Sequence, residues 1–233
     1  MKKVVLFILI LIFFSYTADV LQSSDFAIRV GDHLLTHEEL DDRYYEKHHR
    51  DRDRTELLNN FLNYVLMNKI AEQRGMEITE EDIRDRVIEL YQKTGQIVPG
   101  NPVEQFYEQV DKTWDEYKQD LWTGVAKERF HRQLAAEINR GIREEGEEFV
   151  HRRVESIHQF YIEHTLEEEK MSYEEMYDLV LEGDLESVYN REITSNRLAS
   201  LEGQILVSKV SLDLEIEISP QYEDKIETEI PTR

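Results

Sequence analysis

Apolar residues recur along most of this chain at helical spacing, and the clearest stretch is 57–83. There Leu57, Leu58, Phe61, Leu62, Val65, Leu66 and Ile70 cover more than one face of a helix. Gly75 stands where a left-handed residue closes that helix, and Thr79 is placed to cap the next. The same reading predicts a first helix over 37–49, opened by a Thr36/Glu39 capping box, a second over 55–74 and a third over 80–93. The charge run 50–54 is a solvated connector. A loop holding Pro99 and Gly100 leads to a short helix from Pro102. Thr113 with Glu116 opens a long helix over 114–138. Gly141 and Gly146 bracket a break, and 147–168 is again helical, with Phe149, Val150, Val154, Ile157 and Tyr161 facing inward. Ser172 and Glu175 form a capping box for a helix ending near Gly183, and a further helical stretch covers 184–201.

The period then changes. Leu206, Val210, Leu212, Leu214, Ile216 and Ile218 alternate with Lys209, Ser211, Asp213, Glu215 and Glu217, which predicts a half-buried strand within 203–220, ended by Pro220. A long strand without a partner exposes backbone donors, and the other strand-patterned segment is 26–30. Pairing of the two draws the C-terminal segment back to the N-terminal one. The expected fold is mostly α, with a small β element joining an N-terminal strand to a late one.

Leu57, Leu58, Phe61, Leu62, Val65, Leu66, Ala71, Gly75, Ile78, Thr79, Glu80, Glu81, Asp82 and Ile83 together resemble the N-terminal domain of SurA-type periplasmic chaperones and the related PrsA-type foldases. Residues 26–40 are similar to that family's opening, with Val30-Gly31-Asp32 where the family has Val-Asn-Gly. Asp115-Glu116-Tyr117 resembles the start of its long helix. The resemblance covers 25–140 and is carried by apolar spacing and caps, not by catalytic residues. It implies a helical chaperone domain over 25–143, an added helical segment over 144–202, a strand over 203–220 returning to the N-terminal domain, and an acidic tail over 221–233. The family commonly inserts a glycine-rich parvulin prolyl isomerase domain. After Gly146 this chain has only Gly183 and Gly203, and no His-containing strand followed by glycine-rich turns. No isomerase domain, and no enzyme, is expected.

The chain opens Met1-Lys2-Lys3 and continues with eleven apolar residues, 4–14. A basic start before a short apolar run predicts a secretory signal over 1–24 and a periplasmic or other extracytoplasmic location. The small-residue sites at Ser15-Tyr16-Thr17 and Leu21-Gln22-Ser23 are both imperfect. The alternative is an uncleaved anchor reaching Leu21, interrupted by Asp19, which would be the one route to membrane association. The absence of cysteine rules out disulfides and thiolate metal sites. Net charge is −22, and residues 166–233 hold eighteen acidic against six basic residues. Such a surface repels phosphate backbones, so no nucleic acid is expected as a partner. No glycine-rich loop precedes a Lys-Ser or Lys-Thr, so no nucleotide is expected either, and no nucleophile elbow is present.

Two constellations remain. Glu128/His131, Glu148/His151 and Glu155/His158 are Glu-x-x-His pairs of the kind that line di-iron bundles, although a Glu-rich helical chain produces them by accident. Phe106, Tyr107, Trp114, Tyr117, Trp122 and Phe130 are the candidate client-binding residues, an apolar cradle for unfolded polypeptide. Core packing is the competing reading of the same aromatics. The function expected from all of this is an exported, ATP-independent holdase for unfolded or nascent exported polypeptides, without cofactor. The alternatives are a non-catalytic envelope assembly protein with one dedicated partner and, more weakly, a helical metal-binding protein.

Overall fold

A computed structural model describes residues 26–45, 54–94, 114–164 and 170–222. Over these residues the chain is mostly helical with one three-stranded antiparallel sheet. The elements are β1 (Phe26–Val30), β2 (His33–Thr36), α1 (His37–Tyr45), α2 (Arg54–Arg74), α3 (Glu80–Thr94), α4 (Trp114–Glu145), α5 (Glu147–His164), α6 (Tyr173–Val180), α7 (Val188–Asp213) and β3 (Ile216–Ile218). They form two compact units whose boundary falls inside α2, between Leu62 and Asn63, and again between Asp213 and Leu214. The short helix expected from Pro102 and the Thr113 cap lie outside the described residues.

The first unit is built on the sheet, ordered β2-β1-β3. Val30 pairs with His33 across the Gly31-Asp32 turn, and Gly31 has φ 56°, a conformation that L side chains adopt only with strain. β2, which the sequence reading passed over, follows from this tight turn. The expected pairing of 26–30 with a late strand is present, with Ile28 opposite Ile218, Arg29 opposite Glu217 and Val30 opposite Ile216. Arg29 Nη1 reaches Glu217 Oε2 at 2.7 Å, and the Gly31 and Ser219 amides add hydrogen bonds to the Glu215 and Ala27 carbonyls at 2.8 and 3.0 Å. Ile28 and Val30 are fully buried with Leu35 and Leu40. Beyond β3, Tyr222 is buried against His37, with ring centroids 5.8 Å apart, and Gln221 Nε2 donates to His37 Nδ1 at 2.8 Å. The Thr36/Glu39 capping box forms as expected.

The expected strand over 203–220 needs correction. The chain is helical to Asp213, and only Ile216–Ile218 is strand. Leu206 and Val210, four residues apart, fall on one face of α7, and Val210 is buried, so this segment satisfies a helical period as well as an alternating one. Packing on α4 and α5 selects the helix.

The second unit is a helical layer around α4, whose 32 residues extend about 48 Å. Phe130, Leu134, Ile138 and Ile142 recur every four residues and are buried. α7 covers this stripe most extensively, α3 and α5 also pack on α4, and α6 packs on α5 and α7. Gly141 does not break α4, contrary to expectation. Its missing Cβ leaves room for the Phe149 ring, whose nearest atom would lie 2.2 Å from a Cβ built there. The break falls at Gly146 alone, with φ 66° and its amide donating to the Ile142 carbonyl at 2.8 Å.

Caps read from sequence set the other ends. Gly75 has φ 60°, and the Met76 amide donates to Ala71 at 2.9 Å. Thr79 caps α3 reciprocally with Asp82, whose carboxyl is held below its ordinary range chiefly by the Thr79 amide. Arg129 of α4 binds both Asp82 and the Glu77 carbonyl, and Lys118 Nζ reaches Glu80 at 2.7 Å, so α4 fastens the turn into α3. The Ser172/Glu175 box is complete.

At the meeting of α4, α5 and α7, Glu202 is half-buried, its side chain 12% exposed, and its Oε1 accepts from Arg153 at 2.8 Å while the buried Oε2 has no partner. Burial raises its carboxyl above the ordinary range in spite of Arg153. Replacing Arg153 by Met is expected to lower stability by about 1 kcal/mol at neutral pH, since it leaves a half-buried carboxylate unpaired. A raised folded-state value means that the burial penalty is present at high pH and fades as pH falls and the carboxyl protonates. The deficit should therefore shrink on acidification, and paired urea titrations at pH 7 and pH 5 measure it.

Candidate functional site

Of the aromatic residues singled out from sequence, the structure describes the surroundings of Trp122 and Phe130. Phe106 and Tyr107 lie outside the described residues, and Trp114 and Tyr117 occupy the first turn of α4. Trp122 is half-buried, its ring edge-on to Tyr64 at 5.5 Å and packed on the Ile83–Val87–Leu121 cluster. Phe130 is core, 4% exposed, with the Arg74 guanidinium 5.2 Å from its ring centroid and Gly203 of α7 against it.

Two of the three Glu-x-x-His histidines, His151 and His158, are engaged elsewhere. His151 Nδ1 is hydrogen-bonded to the Tyr173 hydroxyl at 2.6 Å and stacks on Tyr177 at 4.2 Å. His158 Nε2 donates to the Met171 carbonyl at 3.0 Å, and Glu128 binds Arg132 and lies 3.7 Å from Arg86. These contacts join α5 to α6 and α3 to α4. Tyr177 donates to Glu147 at 2.8 Å, and burial together with that carboxylate pushes its phenol well above the ordinary range. Among the described residues no group of three or more His, Asp or Glu is arranged to hold a metal ion.

An α3–α4 cleft of about 220 Å³ is lined almost wholly by charges, including Asp82, Arg86, Glu128 and Arg129, which pair with one another. Ion pairs already satisfied inside a protein leave little to offer a ligand.

A different feature lies further along α4. An open groove of about 380 Å³ runs between α4 and α7. Ala135 and Ala136 supply small side chains on one wall, and Ser195 on the other. Arg132, Asn139 and Arg143 stand along the α4 wall, and Val188, Glu192 and Asn196 along the α7 wall. Val188 and its neighbour Tyr189 are 69% and 70% exposed, the most open large apolar side chains described.

The first turns of α7 are held rigidly in this position. Arg191 Nη1 donates to the Leu185 and Glu186 carbonyls at 2.8 and 2.7 Å, and Asn190 Nδ2 donates to the Asp184 carbonyl at 2.9 Å. The Glu182 amide donates to Thr194 Oγ1 at 3.0 Å, and Arg197 pairs with Glu182 at 2.7 Å. The loop between α6 and α7 is thus folded back on α7 through polar contacts, leaving Val188 and Tyr189 facing outward. Sequence reading missed this site. Val188 and Tyr189 stand alone in a polar stretch, and Ala135 and Ala136 read as ordinary helix formers, so the groove comes only from the juxtaposition of two helices.

No helix among the described residues is long and apolar enough to cross a membrane. No protein-family model, curated protein or solved structure matches the chain.

Proposed function

We propose that this chain is an exported, ATP-independent holdase that shields apolar segments of unfolded or partly folded envelope or secreted proteins. The observation that carries the reading is the open α4–α7 groove lined by the exposed Val188, with the exposed Tyr189 next to it in the chain. A small-residue floor accepts varied side chains, and an exposed aromatic buries much area for little rotamer entropy, which suits weak, sequence-tolerant contacts. The sequence likeness of 25–140 to SurA-type N-terminal domains supports the reading. So does the late strand that returns to β1. Client release occurs by mass action as the client folds, with no residue acting catalytically. The cradle is reassigned from the aromatics of α4 to the groove; Phe130, as core, has no part in it.

The test is suppression of light scattering by a reduced, unfolded model protein in the presence of the full chain without nucleotide. Suppression should rise with stoichiometry and saturate near equimolar chaperone. Tyr189→Ala should change stability by less than about 0.5 kcal/mol, because an exposed side chain makes few packed contacts, yet weaken suppression several-fold. Unchanged suppression in both Val188→Ala and Tyr189→Ala removes the groove from the reading. No suppression by the wild-type chain, with one tight stoichiometric partner instead, favours the dedicated assembly protein.

A further inference from the structure

We infer that the α4–α7 groove selects client segments in which an apolar residue is followed within about one turn by a carboxylate, with Arg143 as the group that reads the acid. The inference rests on the holdase reading and deepens it. It also runs against the simplest expectation from composition, that a chain of net charge −22 prefers basic clients.

The argument is one of local charge. Of the two arginines along the groove, Arg132 is bound to Glu128. Arg143 makes no ion pair or side-chain hydrogen bond with any described residue and lines the same groove as Val188, in the last turn of α4. The basic groups of the two units are otherwise largely tied to carboxylates: Arg74 to Glu137, Arg152 to Glu145, Arg153 to Glu202 and Arg197 to Glu182. An uncommitted guanidinium beside an apolar lip offers a charge-assisted, fork-shaped contact to a carboxylate that the apolar contact holds in place. The long-range field of the acidic chain is screened beyond about 8 Å at physiological ionic strength, so it does not decide a contact made inside the groove. Glu192, on the facing α7 wall, acts in the opposite sense. An acid on the occupant is favoured on the α4 side only, and the two walls read the occupant with opposite sign.

Three fluorescein-labelled decapeptides sharing one Leu-Val-Phe-Ala core, flanked by Asp/Glu, by Gln or by Lys, test this by anisotropy with the full chain at about 150 mM salt, where the long-range field is screened. The Asp/Glu peptide should bind about three- to five-fold more tightly than the Lys peptide, the range expected of a partly exposed ion pair. Arg143→Gln should abolish that preference with little change for the Gln peptide, and Glu192→Gln should widen it. Both substitutions are at exposed positions, and circular dichroism checks that each variant keeps its helix content. A Lys preference in the wild type, or a preference that Arg143→Gln leaves intact, overturns the inference. Self-association that Arg143→Gln abolishes would place a second copy in the groove and also overturn it. If the chain suppresses aggregation but shows no Arg143-dependent preference, only this inference falls. If it neither suppresses aggregation nor binds any of the three peptides, the holdase reading falls with it.

Discussion

Removal of residues 214–233 should dismantle the sheet unit while leaving the α4–α7 layer folded. β1 is the central strand, and without β3 it becomes an edge with Ile28 and Val30 uncovered on that side. The remaining β1–β2 hairpin is two-stranded and joined by a two-residue turn, an arrangement marginal in water by itself. Tyr222, packed on His37, leaves at the same time. Loss of a buried aromatic costs about 3–5 kcal/mol, and the lost ladder hydrogen bonds add to it, against a total domain stability of about 5–15 kcal/mol. Amide exchange over residues 26–36 should therefore rise to near the unprotected rate, while α4 and α7 keep their protection. Retained protection in β1 would show that β3 is an accessory.

Gly141→Ala is the second large effect, and its sign is set by a contest. In an ordinary helix interior, Ala is favoured over Gly by about 1 kcal/mol. Here a Cβ would lie 2.2, 2.4 and 2.6 Å from three carbons of the Phe149 ring, which is buried. Overpacking in a dense core costs about 1–3 kcal/mol and at this distance sits at or above the upper end. The ring must move, and the Arg153 guanidinium 5.2 Å from its centroid moves with it. The net expectation is a loss of about 2 kcal/mol and a melting temperature lower by about 4–8 °C. Phe149→Leu makes room. In a double-mutant cycle, Gly141→Ala with Phe149→Leu should be more stable than the sum of the singles by about 1 kcal/mol. Additive losses would mean that the helix backbone, not the ring, absorbs the clash.

Gly141 also shows where reading a sequence stops. Gly141 and Gly146 carry the same local signal, freedom from Cβ, and in sequence both mark a break. Only Gly146 uses that freedom for a positive φ; Gly141 uses it for a ring arriving from another helix, which no local pattern records. The segment 206–213 shows the same limit. Its apolar residues fit a period of two and a period near 3.6, and α4 and α5 settle which applies.

What the chain determined by itself is what short-range physics controls. The caps at Thr36, Thr79 and Ser172, the left-handed closures at Gly75 and Gly146, the helices between them and the return of a late strand to β1 were all legible, because each depends on residues within a few positions or on an unpaired strand needing a partner. The groove was decided by tertiary structure alone. Its walls come from residues 132–143 and 188–196, and it exists because α7 lies along α4 with small side chains at the contact and the α6–α7 loop holds Val188 and Tyr189 outward. The same packing placed Phe130 in the core, since an aromatic at helical spacing faces inward or outward according to the helix that covers it.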